Sequence, residues 1–160
     1  MKGEGVSHGS AAAINPLIGQ AAPDFLLKTL EGEDFKLSES IGKKIIILDF
    51  WATWCGPCIK ALPEVMAVAK AYKEQGVELI TVNQQENPGK VKGFLRTRAW
   101  KMNVVMDSEG EVKNKYGVSG IPTTFIIGLD GKIATVHKGF QPGLGKQLED
   151  DIKALLPKKK

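Results

Sequence analysis

Apolar and polar positions along this chain fall into two periods. Lys44-Ile45-Ile46-Ile47-Leu48-Asp49-Phe50-Trp51 is a nearly continuous apolar run rich in β-branched residues. Such a run predicts a central strand buried on both faces, as in a parallel sheet. Residues 77–82 predict a second buried strand, and residues 103–106 a third. Between them the period changes. Leu62, Val65, Met66, Ala69 and Tyr72 recur at helical spacing up to a stop at Gly76, with Pro63 predicting a kink in the first turns. Asn87-Pro88 offers a helix cap followed by proline at the first helical position, with Val91, Phe94 and Leu95 on one face. Residues 112–116 predict a short helical turn. Residues 123–127 and 132–138 predict a hairpin around Leu129-Asp130-Gly131. Leu144, Leu148, Ile152 and Leu155 mark a last helix. Nearer the start, Ala22-Pro23-Asp24-Phe25 and Asp34-Phe35-Lys36-Leu37 flank Glu31-Gly32-Glu33 and predict a short hairpin. Strands that alternate with helices and close with a hairpin predict a three-layer α/β/α domain around a central mixed sheet. There are no internal repeats and no linker that would split it.

Composition narrows this little. The chain has 160 residues, 42% of them hydrophobic and 25% charged, which excludes a disordered, collagen-like or disulfide-stapled chain. No apolar run approaches the roughly 18 residues that a membrane span requires. Three of the four net positive charges sit on Lys158, Lys159 and Lys160. The body is therefore nearly neutral, and with two arginines it argues against a nucleic-acid partner. Residues 1–15 are expected to be a flexible lead, 16–157 the folded domain and 158–160 a solvated basic tail. The lead lacks the apolar stretch of a secretory signal, which leaves open a cytosolic protein or a form whose leader has been removed.

What composition leaves conspicuous is the cysteine count. Both cysteines fall in Trp54-Cys55-Gly56-Pro57-Cys58, between the buried strand and the long helix. At separation i, i+3 on a helical turn they lie close enough for a disulfide, yet the ring is too small to constrain much unfolded-chain entropy. A helix N-terminus, by contrast, carries unsatisfied N–H groups and a partial positive charge that favour a thiolate. Cys55, just before the helix, is the expected low-pKa nucleophile. Cys58, one turn in, is the expected resolving thiol that attacks the mixed disulfide. Pro57 fits the first helical turn, where its missing N–H is not needed. A zinc site needs about four ligands, and His8 and His137 lie far off in sequence, so no metal is expected. Haem attachment would need histidine where Ile59 stands. A pair of inert structural thiols stays open at this level. No cofactor is called for.

The segment Asp49-Phe50-Trp51-Ala52-Thr53-Trp54-Cys55-Gly56-Pro57-Cys58 resembles the active-site signature of thioredoxins, and Tyr116-Gly117-Val118-Ser119-Gly120-Ile121-Pro122-Thr123-Thr124 resembles their cis-proline loop. With Ala22-Pro23-Asp24-Phe25 and the long span between Cys58 and Pro122, the pattern is similar to the TlpA/ResA-like branch of bacterial thiol–disulfide oxidoreductases. The similarity covers nearly the whole folded part. It implies a thioredoxin fold with an N-terminal hairpin and an extra helix and strand over residues 87–106.

The resemblance also assigns roles. Burial alone should raise the pKa of Asp49, which lies in an apolar strand. The matching acid in thioredoxins helps deprotonate the second cysteine, here Cys58. Glu86 matches a functional glutamate of the branch, although it could merely favour a helix start. Pro122 is expected to be cis, and Ile121 to pair its backbone with that of a substrate. Trp54, Gly56, Pro57 and Gly139 would complete an apolar groove around Cys55. His137 is expected at a surface or rim with no catalytic role, and Phe94, Trp100 and Tyr116 in the core. The implied function is reduction of disulfides in partner proteins by a monomer supplied by an upstream thiol electron donor. The setting would be extracytoplasmic or periplasmic, with the cytoplasm as alternative, in cytochrome c maturation or redox homeostasis. Two other classes stay open: a peroxiredoxin-type peroxidase, which Ala22-Pro23-Asp24-Phe25 also opens, and a binding or chaperone module with an incidental dithiol.

Overall fold

The computed structural model describes residues 15–157. The expected lead therefore lies outside the described residues except for Asn15, and the basic tail lies outside them entirely. In chain order the elements are β1 (Leu26–Thr29), β2 (Asp34–Lys36), β3 (Ile45–Trp51), α1 (Gly56–Ala71), β4 (Val77–Gln84), α2 (Pro88–Arg98), β5 (Asn103–Asp107), α3 (Glu111–Lys115), β6 (Thr123–Ile127), β7 (Ile133–Lys138) and α4 (Leu144–Leu155). Single 3-10 turns follow β2 and α1. The strands form one mixed sheet in the order β2-β1-β5-β4-β3-β6-β7.

All seven residues of β3 are buried, as its unbroken apolar run requires. It pairs parallel with β4 and antiparallel with β6, so both of its edges are satisfied. Its side chains alternate between two cores, as pleating dictates. Ile46, Leu48 and Phe50 join Val82, Phe125, Val112 and Tyr116 on one face. Ile45 and Ile47 join Ala61, Val65, Leu144, Leu148 and Ile152 from α1 and α4 on the other. Trp51 continues that second face beneath Cys58, Leu62, Val91 and Leu95. Three helices thus cover one side of the sheet. The opposite layer is thinner: α3, Leu37 of the first 3-10 turn, and the segment carrying Leu17, Ile18, Ala22 and Phe25.

Helix α1 runs as one element through Pro63. Helix α2 begins as its sequence predicts, with the Asn87 side chain accepting from the Gly89 N–H at 2.7 Å and Pro88 in the first turn. Together α2 and β5 form the helix–strand addition, which seats β5 between β4 and β1. Trp100 and Arg98 close the end of α2, the guanidinium lying 4.6 Å from the Phe94 ring centroid.

The N-terminal hairpin differs from expectation. Its first strand is Leu26–Thr29 rather than residues 22–25, with Leu26 opposite Lys36 and Lys28 opposite Asp34. Pro23 has no N–H to give a ladder. The segment before the strand is committed elsewhere: the Pro23 carbonyl accepts from the Tyr116 hydroxyl at 2.6 Å, Asp24 Oδ1 accepts from the Ser38 N–H, and Phe25 is buried.

Tyr116 is the anchor of this thinner layer, its ring packed on Phe25, Phe50 and Phe125 at 5.2–6.3 Å. Tyr116→Phe, which removes only the bond to Pro23, is expected to cost about 1 kcal/mol. Tyr116→Ala is expected to cost about 3–5 kcal/mol through the cavity. Urea unfolding at an unchanged m-value measures both.

Candidate active site

The site forms where β3 ends and α1 begins. Cys55 is the N-cap residue of α1, in extended backbone conformation, and the Cys58 N–H donates to its Sγ at 3.2 Å. The sulfur thus occupies the position at which the first helical turn presents its unsatisfied N–H groups and partial positive charge. Cys55 and Cys58 are joined as a disulfide, their Cα atoms 5.2 Å apart. Cys55 is 4% exposed and Cys58 fully buried.

Three segments surround the pair. Trp54, immediately before it, is 68% exposed, a large aromatic surface held in solvent. Gly56 and Pro57 are exposed at the first turn of α1. The Ile121–Pro122 peptide is cis, and the Ile121 carbonyl oxygen lies 3.6 Å from Cys55 Sγ. The Gly139 N–H donates to the Pro122 carbonyl at 2.7 Å, with Gly139 in the left-handed region at φ 74°. That conformation suits a glycine and joins the end of β7 to the proline loop.

Two acids, Asp49 within β3 and Glu86 just beyond β4, lie in contrasting environments. Asp49 is fully buried on the α1 side of β3. Its Oδ1 accepts from the Thr124 hydroxyl at 2.7 Å, while Oδ2 has no partner. Burial raises the carboxyl from 3.8 to about 7, against the smaller opposing effect of the Thr124 bond. Asp107, the other buried aspartate among the described residues, accepts the Val112 and Lys113 N–H groups and caps α3. Asp49 has no such structural use for its second oxygen.

Glu86 engages the loop, not the sulfurs. Its carboxylate accepts from the Thr53 N–H at 2.8 Å, from the Thr53 hydroxyl and from Asn83 Nδ2 at 2.9 Å, with Lys90 Nζ at 3.4 Å. Burial pushes its pKa up, but the Thr53, Asn83 and Lys90 contacts together outweigh that effect and hold it below the ordinary value. An acid so held stays ionised at neutral pH. It ties the segment before Trp54 and Cys55 to the end of β4.

Sequence reasoning passed over Thr53, Asn83 and Thr124. A threonine two positions after Pro122 is ordinary until the β3–β6 register sets Thr124 opposite Asp49.

An oxidisable cysteine pair at a helix N-terminus, facing a cis-proline loop across a mixed sheet, defines a dithiol–disulfide redox protein. Residues 18–136 match the AhpC/TSA family, and the chain belongs to that family. It is similar to the thiol-disulfide oxidoreductase ResA of Bacillus thuringiensis subsp. konkukian, at 39% identity over 140 residues, covering 88% of this chain and 79% of that protein. ResA of Bacillus subtilis is 39% identical over 121 residues, covering 76% and 67% respectively. Among solved structures, a protein described as thiol:disulfide interchange protein DsbE from Chlorobium tepidum superposes with a TM-score of 0.79 at 37% identity, over 86% of this chain and 96% of that one. StoA from Bacillus subtilis gives 0.68 at 31% identity, over 86% and 99%. The fold is thioredoxin-like, with the N-terminal strands and the helix–strand addition that the resemblance implied. The chain is a thiol–disulfide oxidoreductase.

The Asp49 environment has a consequence for stability. The native state keeps a proton over a range in which the unfolded chain has lost it, so the Asp49 contribution to stability falls as pH rises from about 4 to about 7 and levels off above. Asp49→Asn abolishes that dependence. Its advantage over the parent is expected to grow from near zero at pH 4 to a few kcal/mol at pH 8, at about 1.4 kcal/mol per unit of raised pKa. Urea unfolding of the oxidised proteins at both pH values measures it.

Proposed function

We propose that this protein reduces disulfides in partner proteins, with Cys55 as attacking thiolate and Cys58 as resolving thiol. The observation that carries this reading is the bond from the Cys58 N–H to Cys55 Sγ at the start of α1. A group that donates to sulfur at a helix N-terminus stabilises a thiolate on Cys55 once the disulfide is reduced. The Cys55 thiolate attacks one sulfur of the partner disulfide, forms a mixed disulfide and expels the other partner sulfur as thiolate. Cys58, deprotonated, then attacks Cys55 Sγ, restores the Cys55–Cys58 disulfide and releases the second partner thiolate. Two electrons pass from this protein to the partner, and an upstream thiol donor returns them.

Asp49 is the proton acceptor for Cys58 in this reading. Its raised pKa, its unpartnered oxygen and its position on the α1 side of β3 support that role. Glu86 acts as a positioning residue that holds Thr53, and through it the Trp54–Cys55 segment, in place. The exposed Trp54 ring, Gly56, Pro57, Gly139 and the Ile121 backbone beside cis-Pro122 form the substrate groove. An extended partner segment would pair its main chain with Ile121, giving affinity without strong sequence demands.

The TlpA/ResA-like resemblance supports an extracytoplasmic bacterial setting, with apocytochrome cysteines or other partner proteins kept reduced there. Among the described residues no helix is long and apolar enough to cross a membrane. The protein is expected to act as a monomer.

Two experiments test the reading. With dithiothreitol as donor, the protein is expected to accelerate insulin reduction, and Cys55→Ser to abolish the acceleration; peroxide consumption without insulin reduction would instead mark a peroxidase. Cys58→Ser is expected to accumulate mixed disulfides through Cys55, seen by non-reducing electrophoresis and mass mapping. Adducts formed on Cys58 in Cys55→Ser at a comparable rate would reverse the assignment.

A further inference from the structure

Asp49 and Thr124 are sealed from solvent, so a base at this position needs a route by which its proton leaves. The sheet register lays out such a route. Thr81, Asp49, Thr124 and His137 are successive cross-strand partners on β4, β3, β6 and β7. Directly opposed residues share a face, with Cβ atoms about 4.5–5.5 Å apart in antiparallel pairs. The shared face is the one beneath α1 and α4. Thr124 Oγ1 donates to Asp49 Oδ1 at 2.7 Å, and His137 Nε2 lies 2.6 Å from Asp151 Oδ2 of α4. The same Asp151 oxygen accepts from Thr135 Oγ1 at 2.9 Å, which fixes its position.

The row has one open end. Toward β4 it closes, because the Thr81 hydroxyl donates to the Asn103 carbonyl at 2.9 Å. Toward β7 it reaches water: the His137 and Asp151 side chains are 20% and 19% exposed. The group at that boundary is an imidazole, the side chain whose ordinary charge change lies nearest neutral pH.

We propose that Asp49 exchanges its proton with solvent laterally across β6 and β7, with Thr124 as relay and the His137–Asp151 pair as port. The proposal rests on the reading of Asp49 as proton acceptor for Cys58. The Asp49 O–H bond breaks toward Thr124 Oγ1 as the Thr124 hydroxyl proton passes to His137 Nδ1, the ring nitrogen that Asp151 does not engage. The imidazolium, held by Asp151, then gives its Nε2 proton to water or buffer. The carboxylate and hydroxyl are regenerated, the ring is left protonated at Nδ1 and returns to its Nε2–H form by proton exchange with water at the port, and no electrons move. The Thr124–His137 step joins cross-strand neighbours that share no hydrogen bond in the oxidised protein, so it requires rotation of the hydroxyl or the ring. In this scheme His137 acts through Asp49 and does not touch the reacting sulfurs.

Reduced protein held at pH 5.5, where Asp49 carries its proton, is mixed into pH 8 buffer with an aromatic disulfide, so that Asp49 must lose that proton before it can accept one from Cys58; release of the second thiolate, which reports resolution by Cys58, is followed at low and high imidazole concentration. His137→Gln is expected to slow this release about tenfold at low imidazole, less than the roughly hundredfold of a group that transfers a proton to the reacting atoms themselves. Added imidazole is expected to restore it, with the first thiolate release and the melting temperature unchanged. Thr124→Val is expected to be slow as well, and Thr124→Ser to keep the parent rate. A parent rate in His137→Gln, or a slow rate that imidazole does not restore, overturns the proposal. Asp49→Asn separates the two levels. If it is slow while His137→Gln is not, Asp49 remains the acceptor and its proton leaves by the mouth of the site. If it keeps the parent rate, the acceptor assignment falls, and the route falls with it.

Discussion

Strand β3 has no solvent face, and most of the structure follows from that. One side carries Ile46, Leu48 and Phe50 into the aromatic core around Tyr116; the other carries Ile45, Ile47 and Trp51 beneath the helices. A strand buried on both sides needs partners on both edges and a helical crossover to reach its parallel neighbour β4. That crossover is α1, and its N-terminus must sit where β3 leaves the sheet. Cys55 is therefore delivered to a helix N-cap by the same burial that builds the core. The crevice beyond the carboxyl ends of parallel strands is where open α/β sheets place their ligands.

The same constraint makes Asp49 unusual. A carboxyl in a strand without a solvent face loses its water, and one hydroxyl does not replace it. Its pKa rises into the range where it can take and return a proton near neutrality. Glu86 is also mostly enclosed, yet it receives two bonds from Thr53, one from Asn83 and the approach of Lys90, and it stays charged. The two carboxyls are thus set apart by hydrogen-bond supply: one titrates near neutrality and the other fastens a loop. Pairs of acids whose environments push their pKa values in opposite directions commonly mark a division of roles.

Several elements were legible because a local rule decided them. The apolar run of β3, the helical period of α1, the Asn87–Pro88 start of α2 and the β6–β7 hairpin need only neighbours in sequence. The first hairpin strand was displaced because Pro23 and Phe25 are claimed by Tyr116 and the core, partners far along the chain. From the sequence Glu86 reads either as an acid close to the cysteines or as one favouring a helix start; it lies before the Asn87 cap, outside the first turn of α2. That its oxygens bond to Thr53 depends on how the β3–α1 loop folds over β4. From the sequence His137 reads as a rim residue. It does lie at the rim, but the register that puts it opposite Thr124 has no trace in the residues around it.

By itself the sequence determined the sheet-and-helix order, the single dithiol and its seat between a buried strand and a helix. Periodicity, glycine and proline positions and cysteine spacing act over a few residues, so these features need no long-range partner. Only the tertiary structure decided what each acid meets: for Asp49 the Thr124 hydroxyl on one oxygen and no partner on the other, for Glu86 the Thr53 loop, and beyond them the polar row that ends at His137 and Asp151. A carboxyl's character comes from the groups packed around it, and here those groups arrive from strands that pair across dozens of intervening residues.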